Sequence, residues 1–311
     1  FLIVSLFLYS FTQIDLNLFL FKFDAWVSFQ RFFQNIGYFQ RPLSTALYVA
    51  VVLLLFVSYL GFLFLVHKKQ ISQKEIWKLI ILTSVILTFS YNAFSYDLFN
   101  YIFDAKIITH YGQNQYVHKA LDYQGDPMLN FMHWTHRTYP YGPSWLALTV
   151  PFSFLGFNFF LPTILMFKTL ATLSFLGSAY FIGKVLKIVD QKNMLFGITF
   201  FALNPLVIIE SLISSHLDIV MAFFGVFAFY LLFKNKYVTS VLSLIFSAGI
   251  KFATGFLLPL FLLTIIKKLS FEKISIIAVV LMTAAIIASA IRTNFQPWYL
   301  LYVLPYAAFI A

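Results

Sequence analysis

The chain of 311 residues contains no cysteine. Disulfides and thiolate metal sites are therefore excluded, and cysteine usage says nothing about redox compartment. Charge is also scarce. Only 10% of residues are Asp, Glu, Lys or Arg, against about 25% in an ordinary soluble domain. So few charges do not cover a water-facing surface. Acidic residues are the rarer sign, 11 against 21 basic, for a net charge of +10. In a chain that is 61% hydrophobic that excess reads as the basic flanks of membrane helices, and no nucleic-acid partner is expected. Apolar runs reach the roughly 20 residues of a spanning helix and lack the alternation of barrel strands. Backbone groups in lipid must be satisfied within their own segment. The composition thus predicts an all-α polytopic membrane protein, with the lipid bilayer as its solvent.

Taken in order, residues 1–12 read as the tail of a first helix and 13–41 as a mixed loop. Residues 43–66 form a strong span, and 67–78 a basic, cytoplasmic loop. Residues 79–95 form the next span, leading into a polar stretch, 96–143, expected to be extracytoplasmic. Further basic loops follow at Lys184, Lys187 and Lys192, at Lys234 and Lys236, and at Lys267, Lys268 and Lys273. An odd number of crossings must separate the polar stretch from Lys184. Residues 160–183 are read as that crossing, and the shorter run 144–157 as a re-entrant or surface helix. Spans at 194–212 and 218–233 follow, then a half-length pair over 238–266 with Lys251 near its tip. A span at 274–291 and another starting near Trp298 close the chain. It begins at Phe1 and stops inside the apolar run LPYAAFIA, which reads as a fragment of a longer protein, here taken as a single transmembrane domain over 1–311.

The polar stretch concentrates the chemistry, with four of the 11 acidic residues and four of the 6 histidines. Asp97, in SYDLFNY, lies where a span is expected to emerge, which suits a general base held on a rigid element. It equally suits an interfacial Asp that ends the helix. Asp104 lies two turns further along the same face if the helix continues, and two carboxylates there suit a metal or an acid–base pair; Asp104 alternatively pairs with Lys106 or His110. His133, His136 and Arg137, with Tyr139 and Tyr141 in HWTHRTYPYGP, combine phosphate-clamping and ring-stacking groups, or form an interfacial aromatic belt. His133 and His136 by themselves are a weak zinc signal. Lys168, Glu210 and Lys251 fall inside apolar runs, where charge is costly and marks function, or where a lysine snorkels and an ion pair serves structure. His216 and Asp218 occupy a turn, and Arg292 a helix end. Buried charges and broken helices also mark transporters, so a secondary transporter or channel using Lys251 and Glu210 is the competing reading.

The segments SYDLFNY, HYGQNQY and TYPYGPSWL, followed by ALNPLVIIES, SSHLDIVMAFF, GIKFATGFLLPLFL and FQPWYLLYVLPYAA, resemble those of polyprenol-phosphate-sugar glycosyltransferases of the GT-C superfamily, in their mannosyltransferase branch. The resemblance covers about two thirds of the chain, from Ser90 onward. It implies a multi-helix membrane enzyme of the cytoplasmic membrane with its active site on the extracytoplasmic face. It implies a polyprenyl-phosphate-linked sugar donor, most often mannose, a glycan or glycolipid acceptor, and inversion by direct displacement. Asp97 matches the family's catalytic base. Arg137, Lys168, Lys251 and Arg292 would bind donor phosphate. Asp104, His133, His136, Tyr139, Tyr141, His216 and Asp218 would contact substrate, with Glu210 pairing a basic group. Members of the superfamily differ in their use of a divalent metal, and no cofactor is assigned. Two segments depart from the pattern. Gly-His-Asn-Asp is here Ser215-His216-Leu217-Asp218, and Asn-Pro-Tyr is Asn114-Gln115-Tyr116, so the acceptor is not named.

Overall fold

A computed structural model describes residues 1–311. The chain is all-helical, with no strands. Helix α1, Leu2–Ser10, is followed by α2, Asp24–Gln34, then α3, Arg41–His67, and α4, Gln73–Thr88. Next come α5, Asp97–Thr109, α6, Pro143–Leu155, and α7, Phe160–Val189. Helices α8, Met194–Ala202, and α9, Pro205–Ile208, lead through a π-helical turn, Ile209–Ile213, to α10, Asp218–Phe233. The chain closes with α11, Tyr237–Ala248, α12, Leu258–Lys267, α13, Phe271–Thr293, and α14, Leu304–Ala307. Three helices, α3, α7 and α13, are long and apolar enough to cross a membrane, and the α8–α9 pair would make a fourth if its parts act as one span. Helix α3 leaves most of its apolar surface uncovered, with only 17% of an 18-residue apolar stretch buried, as suits a lipid-facing helix. Helix α10 is enclosed instead, packed between α7 and α11.

Several expected boundaries move. The span expected at 79–95 stops at Thr88. After it the backbone leaves the helix, with Phe94 at φ 70°. The Asn92 amide donates to Ser95 O at 2.8 Å and the Asp97 N–H donates to Ser95 Oγ at 3.1 Å. Short polar side chains here compete with the helical backbone bonds. Asp97 therefore opens a new helix rather than ending a span. Its negative charge at the start of α5, and Lys106 in the last turn, both suit the helix dipole.

The stretch 13–41, expected as a loop, contains α2. Two of its polar residues face inward, while Asp24, Ser28 and Arg31 stay exposed: the Gln30 amide donates to Leu18 O at 2.5 Å, and that of Gln34 to Asp15 O at 2.9 Å. Phe32 points outward instead, 62% exposed. Trp26, Phe29 and Phe33 pack inward on Phe11, and the two buried glutamines among them interrupt the apolar face that a sequence reading looks for. The expected span 194–212 is broken: α8 and the following segment Pro205–Ile213 meet at 55°. Pro205 removes a donor there, and Asn204 Oδ1 accepts from the Leu206 N–H at 3.0 Å. The span expected from Trp298 is a 3-10 turn, Pro297–Tyr302, and the short α14. The half-length pair is present as α11 and α12, joined by Lys251 and a 3-10 turn, Phe252–Leu257.

Candidate active site

Two cavities stand out. The larger, about 660 Å³, lies beside Phe131 and Phe160 and is mostly apolar; its only charged lining groups, Lys106 and Asp126, neutralise each other in an ion pair. The second, about 540 Å³, is the polar one. Asp97, Arg137, Lys251 and Arg292 line it, among the aromatic rings of Trp134, Tyr141, Trp298, Tyr299 and Tyr302. Convergent charged groups and rings, rather than size, mark the second as the candidate site.

Its walls come from four distant parts of the chain. Asp97 is set by the start of α5. Arg137 and Tyr141 come from the HWTHRTYPYGP turn that leads into α6. Lys251 sits in the break between α11 and the 3-10 turn. Arg292 ends α13, and the rings of Trp298, Tyr299 and Tyr302 follow it. The turn and the break are joined by backbone. The Gly142 N–H donates to Ile250 O at 3.3 Å, and the Ser144 N–H to Gly249 O at 3.0 Å.

The cations differ in how they are held. The Lys251 ammonium pairs with Asp218 Oδ1 at 2.7 Å and lies 5.2 Å from the Tyr299 ring centroid and 5.3 Å from that of Tyr302. Arg137 donates to the Tyr141 hydroxyl at 3.4 Å and lies 5.3 Å from the Trp134 ring centroid. No carboxylate lies within ion-pair distance of Arg137 or Arg292. Asp97 has one titratable neighbour within 4 Å, His216, with Nδ1 at 3.7 Å from its Oδ2. The other ring nitrogen, Nε2, is 3.2 Å from Glu210 Oε2.

The remaining predicted residues fall elsewhere. His216 and Asp218 stand behind the cavity wall, each 0% exposed. Asp104 does not line the cavity. Burial raises its carboxyl to about 7, and Arg137 opposes that rise. His133 stacks on Tyr96, ring centroids 4.0 Å apart, and the His136 ring lies 6.2 Å from that of Trp134. The Tyr139 hydroxyl donates to Gly142 O at 3.0 Å and so braces the turn, while burial pushes it and the Tyr141 hydroxyl up. Lys168 is not brought to the cavity. Its ammonium, in a side chain 1% exposed, donates to Leu212 O at 2.7 Å, Ser90 Oγ at 3.2 Å and Ile213 O at 3.3 Å. It ties α7 to the two irregular segments beside it. No group of three or more His, Asp or Glu side chains comes together as a metal site.

Sequence reasoning missed the rings of Trp134, Trp298, Tyr299 and Tyr302 as lining groups. The signal was present: Trp298 and Tyr299 follow Arg292 within FQPWY, and Trp134 lies between His133 and Arg137.

A family model described as MptA_B family, alpha-(1->6)-mannopyranosyltransferase, N-terminal domain, matches residues 23–267. No curated protein and no solved structure matches the chain. The chain belongs to that mannosyltransferase family and is a glycosyltransferase.

Proposed function

We propose that this glycosyltransferase moves mannose from a polyprenyl-phosphate carrier to a hydroxyl of a glycan or glycolipid, on the extracytoplasmic side of the cytoplasmic membrane, with inversion. The observation that supports it is one cavity in which Asp97 shares the walls with Arg137, Lys251 and Arg292. Glycosyl transfer from a lipid phosphate needs both functions together: a base for the attacking hydroxyl and cations for the leaving phosphate.

In this reading Asp97 accepts the proton of the acceptor hydroxyl as its oxygen attacks the anomeric carbon. The bond from that carbon to the phosphate oxygen breaks on the opposite face, and a single displacement inverts the centre. Arg137 and Arg292, with no carboxylate partner, hold the phosphate and meet its growing charge, since guanidinium forks match phosphate oxygens. Lys251 contributes less net field because Asp218 already pairs with it. Trp134, Tyr141 and Trp298 offer ring faces to the sugar. The carrier's hydrocarbon tail lies along apolar helix surface, and because the sugar arrives on a lipid phosphate no nucleotide-binding domain is needed. Lys168 has no part in this site, because its ammonium is already bonded inside the bundle.

The test is transfer of radiolabelled mannose from polyprenyl-phosphate mannose in membranes holding the protein. Asp97→Asn is expected to abolish transfer at unchanged abundance. Full transfer by that variant would refute Asp97 as the base. Accumulation of a solute with no lipid-linked donor present would replace the enzyme reading with a transporter.

A further inference from the structure

We propose that His216, oriented by Glu210, is the positioning residue of Asp97, offering its Nδ1 lone pair to the proton that Asp97 collects. The inference rests on the reading of Asp97 as the base.

His216 cannot touch substrate. It is 0% exposed and lies under Trp298, ring centroids 4.1 Å apart and planes at 20°. Its two nitrogens nevertheless each address a carboxylate: Nδ1 lies 3.7 Å from Asp97 Oδ2, and Nε2 lies 3.2 Å from Glu210 Oε2. Neither makes a formed hydrogen bond. A sealed imidazole with two unpartnered nitrogens is an expensive thing to bury, and it stands between the cavity and a carboxylate that does not line it. Glu210 and His216 are tied to each other by backbone as well, His216 N–H donating to Glu210 O at 3.0 Å. The π-helical turn Ile209–Ile213, beyond the bend at Asn204, aims Glu210 at the ring.

The chemistry follows from which groups can donate. An ionised carboxylate only accepts, so Glu210 selects the imidazole tautomer with hydrogen on Nε2. That leaves a lone pair on Nδ1 facing Asp97. With Asp97 ionised, two acceptors face each other across 3.7 Å. When the acceptor O–H bond breaks, the proton forms an O–H bond on Asp97. The freed oxygen pair makes the glycosidic bond, and phosphate leaves with the pair of the broken C–O bond. The new Asp97 O–H now donates to Nδ1, and His216 gains and loses no proton. This hydrogen bond exists only after the proton has begun to move, so it favours the reaction over the ground state. Trp298 holds the ring plane and keeps water out.

The test is the same transfer assay, run on wild type, Glu210→Gln, His216→Leu, His216→Asn and the double variant Glu210→Gln/His216→Leu, with abundance and melting measured in membranes. Glu210→Gln and His216→Leu should each lower kcat by about 10- to 100-fold, part of the rate a positioned acid–base arrangement supplies, with KM for the donor unchanged. His216→Asn, whose side-chain oxygen overlays Nδ1, should recover part of the loss. Glu210→Gln should cost nothing further in the His216→Leu background, because Glu210 acts through the ring. An unchanged kcat in folded Glu210→Gln, a loss confined to KM, or an equal cost in both backgrounds would each overturn the proposal. Glu210→Gln is nearly isosteric and remains informative if the His216 variants fail to fold. If Asp97→Asn is inactive while these variants are normal, this inference alone falls. If Asp97→Asn is active, the base assignment falls first.

Discussion

Gly142 lies so close to Gly249 that a Cβ built on it would be 2.1 Å from the Gly249 carbonyl oxygen. The two flanking backbone hydrogen bonds, from the Gly142 and Ser144 N–H groups, leave no room to give way. The turn that carries Arg137 and Tyr141 is thus locked to the helix break that carries Lys251. Two cavity walls more than a hundred residues apart in sequence are joined directly through backbone.

Gly142→Ala should break that lock. Inserting a methyl group against backbone costs about 1–3 kcal/mol, and displacing one wall by about 1 Å can cost on the order of 100-fold in rate. Transfer should fall by at least about 10-fold in protein that still reaches the membrane. Wild-type rate in that variant would show the two walls to be independent.

Arg137→Gln and Arg292→Gln should raise the donor KM and lower kcat, each by about 10-fold or more, as phosphate charge loses a partner. Lys at either position should recover only part, since it cannot make the bidentate contact. A donor titration of each variant checks this, and unchanged kcat and KM in both would remove the arginines from the phosphate site.

Lys251→Met should destabilise the fold, because it leaves Asp218 buried without its cation; breaking such a pair costs about 3–5 kcal/mol. Adding Asp218→Asn should restore much of the melting temperature but not the activity. Recovery of both would make the pair purely structural.

Asp104 gives the fold a pH dependence of known sign. Its folded carboxyl titrates at about 7, above the ordinary 3.8, because burial disfavours the charge. Between those values the folded state binds more protons than the unfolded one, so this group's contribution to stability is present at low pH and is lost as pH rises toward 7. Asp104→Asn should therefore gain melting temperature relative to wild type at pH 8, with the gain shrinking at pH 5. Equal differences at both pH values would show that Asp104 is not the titrating group.

Lys168→Met should lower abundance, since the Leu212 and Ile213 carbonyls lose their shared donor. The protein that remains should keep its donor KM. A raised KM with normal abundance would return Lys168 to the substrate site.

The helical class was readable because scarce charge and long apolar runs leave the backbone no other way to satisfy itself. The half-length pair around Lys251 was readable for a related reason: basic residues at both ends of 238–266 demand a return to the same side. Helix α2 was not, since Gln30 and Gln34 use their amides inward to satisfy loop carbonyls, against the usual pattern. The early end of α4 was not, because Asn92 and Ser95 stop the helix through short-range side-chain bonds that the apolar run does not register.

What the sequence determined by itself was the solvent the chain was built for and the residue types that had to carry chemistry: Lys251 is costly inside an apolar run, and Asp97, Arg137 and Arg292 stand out as scarce charges at a span end, in the polar stretch and at a helix end. The tertiary structure alone decided which of these charges work together. It brought those four to one cavity, placed Asp218 behind Lys251 and His216 behind Asp97, and spent Lys168 on three bonds inside the bundle. The reason is that burial cost is a property of a residue, while pairing is a property of distance. Distance between Asp97 and His216, 119 positions apart in the chain, is set by how α5, the bend at Asn204 and α10 pack.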